Sequence, residues 1–124
     1  MLPKNILLVD DESEFLETMA RRLRRRSYEV KTALDCAAAL AEVQAGWPDA
    51  VVLDVMLGDA DGIECLCLVK RVAPRLPVIM LTGHASLQSS ILGMEQGASN
   101  YCLKPIDIED LIERIIIACK EAGD

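Results

Sequence analysis

Short apolar runs alternate with helical patterns along the whole chain. Ile6–Val9 is an apolar run of strand length. In SEFLETMARRLRRR, Phe15, Leu16, Met19 and Leu23 recur at helical spacing, and Ser13 is expected to cap the start. YEVKTA, from Tyr28, alternates and reads as a second strand. The alanine-rich DCAAALAEVQAG is helical and closes at Gly46, the residue type that favours helix ends. AVVLDV, from Ala50, is nearly all apolar and β-branched, so this third strand should be buried on both faces. IECLCLVKRVA is a helix stopped by Pro74, and PVIMLTG is a fourth strand. SLQSSILGMEQG is a helix weakened by Gly93. SNYCLK is a fifth strand, and DIEDLIERIIIACKEA is a last helix with Asp107 placed to cap it.

Strand and helix thus follow one another five times. That order predicts an α/β fold: one doubly wound, five-stranded parallel sheet with five helices shared between its faces. Ligands of such sheets bind beyond the carboxyl ends of the strands, so the residues that end strands are the informative ones. Strand one ends at Asp10 and Asp11, strand three at Asp54, strand four at Thr82, and strand five at Lys104, before Pro105. Strand two ends at Ala33 and Leu34, with nothing reactive. Three carboxylates, a hydroxyl and an ammonium should therefore share one edge. Crowded carboxylates repel and resist ionisation. A hard divalent cation, Mg²⁺ or Mn²⁺, relieves that repulsion. A carboxylate beside such a cation, a lysine and a hydroxyl suits phosphoryl transfer through an aspartyl phosphate. Each residue alone has a plainer reading, as a helix cap or a solvated strand end. It is their convergence on one edge that argues for chemistry.

Composition narrows the picture. A chain of 124 residues, 52% hydrophobic and 27% charged, fits one compact domain. Its formal net charge of −7 argues against direct nucleic-acid binding, which needs cations to neutralise phosphates. Five cysteines lie scattered in apolar segments without C-x-x-C spacing, as small core residues would. They predict neither a disulfide framework nor a zinc site, and a reducing cytoplasm fits them best. No signal-like segment or membrane-length apolar run is present. RRLRRR, Arg21–Arg26, reads as the solvated cationic end of an amphipathic helix, one that could also help dock a kinase. Trp47, before Pro48, is expected to pack partly in a loop.

With these residues in place, the chain resembles a response-regulator receiver domain of two-component signalling. The stretches ILLVDDE, AVVLDVMLGDADGIE, PVIMLTG and GASNYCLKPIDIEDL carry the likeness, which extends from about Lys4 to Ala122. The resemblance implies a flavodoxin-like sheet of order 2-1-3-4-5 and a receiver domain over residues 1–124, with any effector domain absent from them. It implies that Asp54 is the phosphoacceptor and that Mg²⁺ is held by Asp11, Asp54 and the Met56 backbone carbonyl, with Asp10 acting through water. Thr82 would be the switch hydroxyl, Lys104 the charge-offsetting lysine, Tyr101 the aromatic switch, and Lys104–Pro105 a cis bond. The implied partners are a sensor histidine kinase or phosphotransfer protein. An effector domain or a second copy would read the helix 4–strand 5–helix 5 surface.

The likeness has departures. After the acceptor, Gly58 stands where the family often has proline, which should loosen that loop. Asp59 and Asp61 are expected to be solvated loop acids, and Gly62 to supply a turn with positive φ. The positions held by Met56 and His84 tune phosphoryl lifetime in the family. Glu12 has two open roles, capping the helix or supporting the site.

Three rival functions remain. An aspartyl-phosphate phosphatase typically needs an Asp two residues after its nucleophile, but Met56 follows Asp54 there and Glu12 follows Asp10. A flavin module should have a hydroxyl- and glycine-rich loop after strand one, and DDESE would repel a phosphate. An unphosphorylated, receiver-like scaffold is disfavoured by the full set of site residues.

Overall fold

A computed structural model describes residues 2–57, 60–83 and 87–123. The elements in chain order are β1 (Asn5–Val9), α1 (Ser13–Arg24), β2 (Glu29–Ala33), α2 (Cys36–Gln44), β3 (Ala50–Leu53), β4 (Met56–Leu57) and β5 (Ala60–Asp61). They continue with α3 (Gly62–Val72), β6 (Val78–Thr82), α4 (Leu87–Glu95), β7 (Asn100–Leu103) and α5 (Ile108–Gly123). Five strands form one parallel sheet of order β2-β1-β3-β6-β7. Counted within that sheet alone, the order is the expected 2-1-3-4-5. The short β4 and β5 pair antiparallel outside it, which the apolar pattern does not predict.

Strand periodicity divides the apolar residues into two cores. Ile6, Leu8, Ala50, Val52, Ile79 and Leu81 face one side, against Leu16, Met19 and Leu23 of α1 and Leu111 and Ile115 of α5. Their neighbours Leu7, Val9, Val51, Leu53, Val78 and Met80 face the other, against α2 and α3. α4 lies on that second side: a Cβ at its Gly93 would come into van der Waals contact with Ile63, Met80 and Tyr101. The central strands β3 and β6 are buried throughout, so they read as unbroken apolar runs. Edge strand β2 keeps only Val30 and Ala33 buried, one in each core, and leaves Glu29, Lys31 and Thr32 exposed.

Several local expectations need correction. The residue before α1 is Glu12, whose side chain makes no capping bond, so Ser13 is the first helical residue and not the cap. Asp61 is more than a loop acid: its Oδ1 accepts the Ile63 N–H at 2.9 Å and caps α3. Gly62 does not have positive φ, unlike Gly46 and Gly97. It is required for close approach, because a Cβ there would overlap the carbonyl oxygens of Asp54 and Val55. Two of the cysteines are not thiols: Cys36 of α2 and Cys65 of α3 form a disulfide, leaving Cys67, Cys102 and Cys119 free. Local spacing gave no sign of this pair, because packing of two helices brings it together across 29 positions.

Leu23, inside the arginine run, is fully buried, while Arg26 pairs with Glu109 at 2.6 Å and Arg24 donates to the Val30 carbonyl. Trp47 is half-buried against the second core, with Lys31 Nζ 4.7 Å above its ring. No described helix is long and apolar enough to cross a membrane.

Candidate functional site

The parallel strands stop together, and their ends bring the polar residues to one edge. Asp10 follows β1, and its N–H donates to the Ala33 carbonyl at the end of β2. Asp54 follows β3, and its N–H donates to the Val9 carbonyl at the end of β1. Each acid thus continues the ladder by one backbone bond, and its carboxyl group is fixed at the sheet edge. Thr82 ends β6, and its carbonyl accepts the Lys104 N–H at 2.8 Å just beyond β7. Asp10 and Asp54 are nearly fully buried and Thr82 is wholly so, whereas Asp11 and Glu12 are exposed.

Lys104 joins these groups. Its Nζ lies 2.6 Å from Asp10 Oδ2, 3.0 Å from Glu12 Oε1 and 3.3 Å from Asp54 Oδ2. It also sits 4.2 Å above the centre of the Phe15 ring, whose π face attracts a cation. The other oxygens of both buried acids accept backbone N–H groups: Asp10 Oδ1 from Glu12 at 3.0 Å, and Asp54 Oδ1 from Met56 at 3.1 Å. The Asp54 carboxylate is therefore oriented from both sides.

Both partners are shifted upward: Lys104 as in a simple ion pair, Asp10 against it. Burial pushes the Asp10 carboxyl up to about 6, and the neighbouring Asp54 charge adds to this, against the opposing pull of the Lys104 and Glu12 N–H bonds. Burial also opposes charge on Lys104, but hydrogen bonds to Asp10 and Glu12 and the charges of Asp10 and Asp54 outweigh it. The ammonium is held above the ordinary lysine range. One cation serves several anions, so it stays charged while Asp10, the most desolvated acid, does not fully ionise until near neutrality.

Carboxylate oxygens of Asp10, Asp11, Glu12 and Asp54 lie within 4.8 Å of one another. All are hard oxygen donors, and negative charge exceeds what Lys104 offsets, so the set suits a hard divalent cation such as Mg²⁺. Met56 is exposed beside Asp54, at the start of the β4–β5 pair. Tyr101 is half-buried, packs on the second core and stands opposite Met80 in the β6–β7 register. Lys104–Pro105 is cis. The expectations placed on Gly58, Asp59 and His84 lie outside the described residues.

The structure adds Glu12 and Phe15 to the strand-end set. Glu12 stands at the N-cap position of α1 without a side-chain cap bond and reaches Lys104, so of its two open roles the contacts favour the one beside the site. Phe15 was visible only as an apolar helix position. Its place over Lys104 depends on how α1 leaves the strand end.

Residues 6–116 match the response regulator receiver domain family. A probable transcriptional regulatory protein of Mycobacterium tuberculosis, TcrX, is 35% identical over 121 residues, covering 98% of this chain and 52% of that protein. The chain spans about half the length of the curated relatives it matches. A CheY-like receiver domain protein from Methanospirillum hungatei superposes with a TM-score of 0.91 at 32% identity, covering 97% of this chain and 96% of that one. A response regulator from Burkholderia pseudomallei, solved with a phosphorylated aspartic acid, a calcium ion and citrate, gives a TM-score of 0.87 at 30% identity. It covers 97% of this chain and 71% of that one. A common fold, the same family over most of the length and a strand-end acid cluster all agree: this chain is a response-regulator receiver domain, a signalling domain of two-component regulators.

Proposed function

We propose that Asp54 accepts a phosphoryl group from a phosphohistidine of a sensor kinase or phosphotransfer protein. The observation that carries this reading is the Asp54 carboxylate itself: buried, at the strand edge, and held between the Met56 N–H and Lys104 Nζ. A phosphorylated aspartic acid in the Burkholderia relative supports it. In the transfer an Asp54 oxygen attacks phosphorus, the P–N bond to imidazole breaks, and the leaving nitrogen takes up a proton. Asp11, Asp54 and the Met56 carbonyl would hold Mg²⁺, with Asp10 acting through water. The bound ion would offset charge on the phosphoryl oxygens. Lys104 would offset that charge as well once its contact with Asp54 Oδ2 is given up to the phosphoryl group.

The signal leaves by β6 and β7. Thr82 donates its hydroxyl to the phosphoryl group, and the backbone bond from Lys104 to Thr82 makes the two strand ends respond together. Tyr101, opposite Met80, then repacks. Ile91 and Met94 of α4, Leu103 of β7 and Ile117 of α5 are exposed apolar residues on the surface that would pass the change to an effector domain or a second copy.

Incubation with Mg²⁺ and a small phosphodonor such as acetyl phosphate tests the reading. Wild type should gain an acid-stable, base-labile acyl phosphate, detected by intact mass, and Asp54→Asn should gain none. Equal labelling of Asp54→Asn would place the acceptor elsewhere.

A further inference from the structure

Cys36 is the first residue of α2, and Cys65 lies in the first turn of α3. Their Cα atoms are 5.8 Å apart, inside the range a disulfide spans without backbone movement. Helix packing sets this closeness, since Cys36, Leu40, Cys65 and Leu66 belong to one apolar cluster between α2 and α3. Cys65 is buried and Cys36 is partly exposed, so an oxidant reaches one sulfur and the fold presents the other.

The two cysteines also frame the acid edge. Three residues before Cys36, the Ala33 carbonyl accepts the Asp10 N–H. Three residues before Cys65, the Gly62 N–H donates to the Val55 carbonyl at 2.6 Å, with no room for a Cβ against Asp54. A bond between the sulfurs ties together the backbone segments that hold Asp10 and Asp54.

We infer that Cys36 and Cys65 form a reversible redox modification site, cross-linked by a peroxide-class oxidant, that pins the main chain around Asp10 and Asp54. The Cys36 thiolate attacks a peroxide oxygen, the O–O bond breaks, and hydroxide leaves as water after taking a proton. The resulting sulfenic acid is attacked by the Cys65 sulfur. The S–O bond breaks, the S–S bond forms, and the Cys65 proton leaves with the second water. Two thiols lose two hydrogens and the peroxide is reduced to water. A dithiol reductant reverses the step by thiol–disulfide exchange. In a reducing compartment the dithiol is the resting form, and the cross-link reports oxidant. This site stands independently of phosphoryl transfer.

The test uses the full chain, reduced with a dithiol, freed of reductant and treated with hydrogen peroxide. Thiol titration in denaturant should fall from five to three, with a peptide map joining Cys36 to Cys65. Closing a loop across 29 positions should raise Tm on the order of 10 °C over the reduced form. Cys36→Ser, altered at the partly exposed position, should lose that rise. Amide exchange at Asp10 and Gly62 should slow severalfold on oxidation. Five surviving thiols, a link through Cys67, Cys102 or Cys119, the same Tm rise in Cys36→Ser, or unchanged exchange at both amides would overturn the proposal.

Discussion

Lys104 Nζ lies 2.6 Å from Asp10 Oδ2, the shortest of three contacts that one ammonium makes with carboxylates from two strand ends and the start of a helix. Removing it leaves buried negative charge with less compensation. Lys104→Met should lower metal-free stability by about 1–3 kcal/mol near pH 8, below the cost of breaking a fully buried pair because the pocket opens to solvent. Millimolar Mg²⁺ should restore part of the loss, as a second source of positive charge at the same oxygens. Urea unfolding with Mg²⁺ and with chelator measures both effects. A loss that Mg²⁺ leaves untouched would mean that Lys104 acts through packing on Phe15 alone.

Asp10 gives the pH dependence its sign. Its folded carboxyl sits near 6, above the ordinary 3.8, so the native state binds this proton more tightly than the unfolded chain. Its contribution is complete below about pH 4 and is lost as pH rises through about 6, on the order of 2–3 kcal/mol. Asp10→Asn cannot ionise and should escape that loss. In chelator, the stability of Asp10→Asn relative to wild type should therefore increase from pH 4 to pH 7. Urea midpoints at the two pH values decide it, and a difference that stays level or reverses would refute the assignment.

Two glycines should respond differently to the same substitution. Gly62→Ala forces a Cβ into the carbonyls of Asp54 and Val55, which are backbone atoms that cannot swing away. A loss of about 3 kcal/mol or more is expected. Gly46→Ala has open space and meets only the strain of its left-handed φ of 73°, costing about 1–2 kcal/mol. Denaturant midpoints of both variants test the order, which would be reversed if φ alone governed.

Helix starts offer a smaller contrast. Asp35 Oδ1 accepts the Ala38 N–H at 2.8 Å and caps α2, so Asp35→Ala should cost about 1 kcal/mol. Ser13 lies inside α1 and caps nothing there, so Ser13→Ala should stay within about 0.5 kcal/mol of wild type. Chemical denaturation of the pair is sufficient.

What the sequence made legible follows from range. β1, β3 and β6 are apolar runs, and their ends at Asp10, Asp54 and Thr82 could be placed because period and punctuation are local signals. Lys104 followed from the same logic at the end of β7, whereas Tyr101 was marked only by the resemblance to the receiver family. The missed features depend on how separate elements meet. Cys36 and Cys65 come together only when α2 packs on α3, and Phe15 reaches Lys104 only through the exit angle of α1. Gly62 illustrates the limit most directly. Its residue type signalled a backbone constraint, but a turn and a close approach look identical in one letter. The Asp61 cap and the β4–β5 pair were hidden for a related reason, since Asp61 in a loop carries no local mark of which N–H it will accept.

The alternation of β1 between two cores ties the acid edge to the interior by parity. Ile6 and Leu8 face α1 and α5, Leu7 and Val9 face α2 and α3, and Asp10 is the next residue on. Deleting one residue from this strand would withdraw the acid from the edge and exchange every side chain between the two layers. The domain therefore has no neutral way to slide its acids along the strand, and variation in the pocket must come from side-chain identity or from the connecting loops.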